Sequence, residues 1–264
     1  MPRPVVALLT DFGTTDVYVG VMKGVVLGIC PEAALVDVTH ALAAQDIHHG
    51  AQALAAAYPH FPLGTVFVVV VDPGVGSARR GVAAEFGGYR FVAPDNGVLT
   101  PVFDELGAGR VVALENQRYR RAVVSPTFEG RDRFAPAAAW LAKGVPLEAL
   151  GPAITDPQRI ALSRPDIRDV GIDAHVIHVD RFGNLITDLS ATLLQRFAGS
   201  DRVRIEVGDA TIDRIAGTYS DVAAGDVCAL IGSTDALEIA CRDGSAASRL
   251  GMGRGAIVSI RRVV

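Results

Sequence analysis

Apolar positions change their period along the chain. Through about residue 165, short β-branched runs alternate with alanine-rich stretches of helical spacing. Strands are expected at 5–9, 34–38 and 65–71, the last reading Thr-Val-Phe-Val-Val-Val-Val and apolar at nearly every position. Such runs are buried on both faces, the mark of a parallel sheet between helix layers. Helices are expected at 16–29, stopped by Pro31, at 47–57, ended by Pro59 and Pro62, and at 97–106 and 134–143. Residues 81–85 and 90–93 read as a hairpin around Gly87-Gly88. The first region, 1–165, is therefore expected to be an α/β domain with a mostly parallel sheet.

Residues 151–173 carry Pro152, Pro157 and Pro165 with little periodicity and read as a linker. Beyond it the runs are strand-like only, at 174–179, 202–207, 227–231, 236–240 and 256–263, with turn signals such as Gly208-Asp209 and Asp243-Gly244 between them. This spacing predicts a small β-barrel or sandwich, so 166–264 is expected to be an all-β domain.

Composition narrows the function classes. With 264 residues, half of them hydrophobic and a fifth charged, the chain can build a sizeable core. A net charge of −4 leaves no basic footprint, which argues against a nucleic-acid partner. No window holds the roughly 18 uninterrupted apolar residues of a membrane span, and the N-terminal apolar run is too short for a secretory leader. A cytoplasmic protein without a membrane partner is expected. Cys30, Cys228 and Cys241 lie far apart, which fits free thiols and offers no zinc spacing. The six histidines show no metalloprotease pattern, so no metal site is expected.

Candidate chemistry sits where ligands gather in α/β sheets, beyond the carboxyl ends of strands. Directly after the first strand comes Thr10-Asp11-Phe12-Gly13-Thr14-Thr15-Asp16. Asp11 can accept two hydrogen bonds from a vicinal diol, or simply begin the turn while Thr15 or Asp16 caps the next helix. After the strongest strand comes Asp72-Pro73-Gly74-Val75-Gly76-Ser77-Ala78-Arg79. No third glycine completes a dinucleotide fingerprint there. Asp72 and Arg79 can fold back on each other, either bracing the turn or holding a water in a fixed pose. A third group, Phe128-Glu129-Gly130-Arg131-Asp132, runs into a helix; Asp132 is a candidate N-cap, and Glu129 can reach a cleft as acid or base but reads more simply as a solvated loop glutamate. In the second region Asp180-Arg181-Phe182-Gly183-Asn184 offers a flat ring with amide and carboxylate groups, suited to an adenine or to an ordinary turn.

These pieces occur together in one family. Leu9-Thr-Asp-Phe-Gly-Thr14 with Met22-Lys-Gly24, Val71-Asp-Pro-Gly-Val-Gly76 with Arg79-Arg80, and Ala93-Pro-Asp-Asn-Gly97 carry the resemblance. So do Gly130-Arg-Asp132 with Phe134-Ala-Pro136, Phe182-Gly-Asn184 and Leu237-Glu-Ile-Ala240. The chain resembles the S-adenosyl-L-methionine hydroxide adenosyltransferases, relatives of the fluorinase and chlorinase. The resemblance implies an N-terminal α/β domain, a C-terminal β-barrel, and a homotrimer with sites between subunits. It also implies hydrolysis of S-adenosyl-L-methionine to adenosine and L-methionine without a cofactor. Carried over by motif, Asp11 would bind the ribose hydroxyls, Asp16 and Asp180 would face the methionine ammonium, and Ser233 its carboxylate. Phe182 and Asn184 would hold adenine, while Asp72 and Arg79 would position the attacking water.

Two positions depart from the family pattern. The usual histidine before Gly-Arg-Asp is Glu129, so Arg79 would have to offset two carboxylates, which predicts a shifted pH profile or slow turnover. Arg242 stands where an asparagine is expected. A halide adenosyltransferase is the related alternative, but Asp72 and Val75 replace the tyrosine and threonine of the halogenases, and paired carboxylates repel halide. A non-catalytic binding protein with a decayed triad is the alternative from another class.

Overall fold

A computed structural model describes residues 3–263, which fall into two compact units, Met1–Leu162 and Ser163–Val264. In the first unit, the order is β1 (Val5–Thr10), α1 (Tyr18–Ile29), β2 (Ala34–Thr39), α2 (Ile47–Ala57), β3 (Val66–Val70), β4 (Gly81–Phe86), β5 (Tyr89–Pro94), α3 (Thr100–Glu105), β6 (Gly109–Ala113) and α4 (Ala135–Ala142). The six strands form one sheet in the order β2-β1-β3-β5-β4-β6. It is parallel from β2 through β5 and antiparallel across β5-β4-β6. The expected mostly parallel sheet is thus mixed. The hairpin reverses direction, and β6, a strand the hydropathy pattern left unassigned, completes the edge.

β3 is buried along its whole length because it feeds two cores. Val66, Val68 and Val70 pack with Met22 of α1 and Leu141 of α4 on one face. Phe67 and Val69 pack with Leu54 of α2 and Val102 of α3 on the other. Burying side chains of this size contributes about 1.5–3 kcal/mol each, so the central strand anchors the carboxyl-end loops. The expected linker is partly docked on this unit. Ile154 N–H donates to Val111 O, Gln158 N–H to Asp95 Oδ1, and Ile160 N–H to Thr100 Oγ1.

The second unit holds β7 (Asp166–Arg168), β8 (Gly171–Val179), β9 (Leu185–Ser190), α5 (Ala191–Ala198), β10 (Arg202–Val207), β11 (Ala210–Ile212), β12 (Ile215–Ala216), β13 (Val227–Ile231), β14 (Ala236–Cys241), α6 (Ala246–Leu250) and β15 (Ile257–Val263). One sheet runs β11-β10-β15-β8-β9-β14-β13-β12, with β7 added on β8. β11 at one end lies near β13, so the sheet curls towards a barrel. The all-β expectation needs correcting, since two helices interrupt the strands. α5 is amphipathic, with Leu194 and Phe197 buried and Ser190 Oγ accepting the Leu193 N–H as its cap.

Candidate active site

Asp11 and Asp72 emerge at the same edge of the first sheet. Thr10 of β1 lies opposite Val70 of β3, and each aspartate follows just beyond. Asp11 Oδ2 accepts the Gln45 N–H at 2.7 Å, which fixes the carboxylate against the loop after β2. Asp16 is exposed and does not cap α1; the cap position is Val17, with no side-chain cap bond.

The turn after β3 folds back as its composition suggested. Gly76 has φ +79°, and a Cβ there would sit 2.5 Å from Pro126 O, so only glycine lets the turn rest on the 125–129 segment. That contact brings together residues distant in sequence. Arg79 Nε donates to Asp72 Oδ1 at 2.8 Å, and its Nη2 is shared between Asp72 Oδ2 and Glu129 Oε2, the latter at 2.5 Å. The side chains of Asp72, Glu129 and Arg79 are only 5%, 9% and 11% exposed. Burial alone would lower the Arg79 pKa, but the hydrogen bonds and charges of Asp72 and Glu129 outweigh it and hold the guanidinium above its ordinary value. Arg79 also lies over the Phe134 ring, 5.3 Å from its centroid, and borders an open cavity of about 560 Å³ with Arg80 and Asn96.

Asp132 is not an N-cap. It is fully buried inside a π-helical turn, Gly130–Phe134, where it accepts the Ser125 N–H and two bonds from Arg131. Burial would raise its pKa, but these donors bring it below the usual carboxylate value. Its work is to hold the loop that presents Glu129.

Sequence reasoning missed a relay beside Asp11 that runs from buried Thr10 and His40 out to the surface. Thr10 Oγ1 lies 2.8 Å from His40 Nδ1, His40 Nε2 lies 2.9 Å from Asp37 Oδ1, and Lys23 Nζ reaches Asp37 Oδ2 at 2.6 Å. It joins the carboxyl ends of β1 and β2 and so stiffens the turn that carries Asp11. Thr-His-Asp is a triad by composition, but Thr10 is fully buried and therefore closed to any substrate.

In the second unit Asp180, Phe182, Asn184 and Ser233 line one cavity of about 950 Å³. Asp180 organises its floor: Oδ1 accepts the N–H groups of Phe182 and Asn184, and Oδ2 accepts Asn184 Nδ2, all at 2.9 Å. Phe182 is thereby held outward, 76% exposed. Gly183 between them has φ +84°, and a Cβ there would fall 2.0 Å from Ser245 Oγ. Arg242, in the asparagine position, donates to Val222 O at 2.7 Å.

The same cavity contains two groups the sequence did not flag. Glu238, 6% exposed, accepts the Tyr219 O–H at 2.7 Å. Burial pushes the Glu238 carboxyl up, against the lowering effect of that hydrogen bond. Tyr219 is pushed up to about 12, chiefly by its bond to Glu238 and then by burial. A lone acidic residue inside an apolar strand, as in Leu237-Glu-Ile-Ala240, was the available signal. Among the described residues no group of three or more His, Cys, Asp or Glu is placed to hold a metal ion, and no helix is long and apolar enough to cross a membrane.

An open-edged α/β unit with a buried arginine–dicarboxylate cluster beyond its strand ends, joined to a β unit with an aromatic-lipped polar cavity, defines a small-molecule enzyme class rather than a structural module. Residues 6–151 match the S-adenosyl-L-methionine hydroxide adenosyltransferase N-terminal domain and residues 174–259 match the C-terminal domain. The chain is 42% identical over 260 residues to the (R)-S-adenosyl-L-methionine hydrolase of Thermus thermophilus, covering 96% of this chain and 97% of that one. It is 39% identical over 257 residues to the (R)-S-adenosyl-L-methionine hydrolase of Salinispora tropica, covering 96% of each. An uncharacterized conserved protein from Thermotoga maritima superposes with a TM-score of 0.92 at 35% identity, covering 97% of this chain and 100% of that one. The chain belongs to the S-adenosyl-L-methionine hydroxide adenosyltransferase family.

Proposed function

We propose that this protein hydrolyses S-adenosyl-L-methionine to adenosine and L-methionine, with the R sulfonium epimer named for its relatives as the first substrate to try. The observation that carries the reading is the buried Arg79 held between Asp72 and Glu129 in a member of this family. Water attacks ribose C5′ in line, the C5′–S bond breaks, and methionine leaves as a neutral thioether because the sulfonium already carries the positive charge. One proton of the water passes to a carboxylate of the cluster and then to solvent. Asp72 and Glu129 accept hydrogen bonds from the water while Arg79 keeps both aimed, so positioning and exclusion of bulk water supply the rate.

In this reading the Asp11 carboxylate takes the ribose diol and Asp16 the methionine ammonium. The C-terminal cavity supplies Phe182 against the adenine face, Asn184 at its edge, and Asp180 and Ser233 for the amino-acid end. Both clusters would serve one substrate in a homotrimer, which light scattering of the purified protein tests directly.

The deciding experiment is chromatography of the protein incubated with each sulfonium epimer, with and without chloride, beside an Asp72→Ala control. Adenosine and methionine in equal amounts, independent of chloride and lost in D72A, is the expected result. Bound but unconsumed substrate would make the protein a binder. A halogenated nucleoside would make it a halide adenosyltransferase.

A further inference from the structure

Glu129 brings a second negative charge into a site largely closed to water, and Arg79 cannot balance it alone. Arg79 has already committed Nε to Asp72 and Nη1 to the Arg80 carbonyl, and its Nη2 is divided between the two carboxylates. Two buried carboxylates against one guanidinium leave a net charge whose desolvation is costly. Glu129 Oε1, the oxygen Arg79 does not take, faces Arg133 Nε at 3.5 Å. That Nε is buried and makes no hydrogen bond, so it is a donor with Glu129 as the acceptor in front of it.

The backbone explains the approach. Gly130–Phe134 is a π-helical turn, closed by the Ala135 N–H on Gly130 O. Glu129 caps this turn and Arg133 follows four residues later, the spacing at which side chains on one helical face become neighbours. The far side of Arg133 faces Tyr119 and Arg120 across a pinhole cavity, so that side offers a like charge and no carboxylate.

We propose that Arg133 is a positioning residue that supplies the second cation of the cluster and fixes Glu129 against Arg79. Glu129 and Arg133 then act as a unit, with Asp72, Glu129, Arg79 and Arg133 summing to zero charge. The glutamate is workable at this position because the arginine four residues later accompanies it. As a statement about turnover, this rests on the hydrolase reading above.

The test is a double-mutant cycle read as kcat and KM, using the parent, Arg133→Leu, Glu129→His, the double variant and Arg133→Lys. In the parent background R133L is expected to lower kcat at least tenfold and to leave KM within about twofold. R133K restores most of the loss. In the E129H background R133L has little further effect, since the neutral imidazole needs no counter-cation. Equal losses in both backgrounds, or no loss in either, overturn the proposal. If the parent hydrolyses neither sulfonium epimer, the hydrolase reading falls by itself. The same cycle is then read as thermal midpoints between pH 4 and 7, where additivity of the two substitutions overturns the coupling.

Discussion

The two units each bury carboxylates beside a polar space, and they stabilise them by opposite means. In the first, Asp72 and Glu129 share a guanidinium through short charge-assisted bonds. In the second, Glu238 is hydrogen-bonded to a phenol instead, and burial pushes its carboxyl up towards the neutral form. The first arrangement ties two carboxylates to one guanidinium in a fixed geometry. The second sets a carboxyl with a raised pKa and a phenol together on the cavity wall. A cluster built this way suits chemistry on a nucleophile, whereas the cavity suits recognition.

Breaking the arginine bridge is expected to have the largest effect. Arg79→Lys keeps one charge but loses the planar fork that spans two carboxylates. Turnover should fall by about 10²- to 10⁴-fold, the usual scale for misplacing an acid–base group. Adenosine release measured at saturating substrate checks it. A lysine variant within threefold of the parent would mean that charge alone matters and that the fork geometry does not.

The matching perturbation in the cavity is Gly183→Ala. Its Cβ would collide with Ser245 Oγ, and its φ of +84° strains any L side chain. We expect a loss of about 1–3 kcal/mol in stability, the usual cost of overpacking, together with weaker adenosine binding. Thermal denaturation and calorimetric titration read the two effects separately. Parent-like affinity would show that the Asp180–Asn184 turn is not part of the recognition surface.

Legibility in the sequence followed the range of the contacts. β3 was readable because every position is buried, and Asp72 with Arg79 was readable because one turn separates them. β9 carries a clean alternation of buried and half-buried residues, yet its Thr187 and Asp188 resemble a turn, and the strand was passed over. α5 was hidden by the expectation of strands throughout the second region. Glu129 could be read as a loop acid or base, but its place beside Arg79 came only through resemblance, because fifty residues separate the two. The approach of Arg133 to Glu129 is an i,i+4 pairing in a turn that the expected helix, beginning at 134, left outside. Glu238 with Tyr219, and Thr10 with His40, are tertiary pairings like that of Glu129 with Arg79: each residue is visible, but its partner is not.

A smaller effect separates recognition from support at the cavity mouth. Phe182 is held outward by the Asp180 turn and buries little of itself in the fold. Phe182→Ala should therefore leave the thermal midpoint within a degree or two while weakening adenosine binding by about 3- to 10-fold, the scale of one aromatic contact. If stability falls and affinity stays, the ring is a core residue in the assembled protein rather than a ligand surface.

The smallest expected effect tests the neutral-leaning carboxyl itself. A carboxyl whose pKa is higher in the folded than in the unfolded chain binds more protons when folded. Its contribution to stability is therefore greatest at acidic pH and declines as pH rises from the unfolded value, near 4.5, through the raised folded one. Glu238→Gln keeps an acceptor oxygen for the Tyr219 O–H and removes the titration. Its thermal midpoint should fall less than the parent's between pH 4.5 and 7, with the two curves converging towards acid. The Asp72–Arg79–Glu129 cluster gives a ready contrast, since losing Arg79 there strands two buried carboxylates and lowers stability at neutral pH. A Glu238→Gln curve parallel to the parent's at every pH would mean that Glu238 stays ionised in the cavity, and the opposition between the two sites would then be one of partners alone.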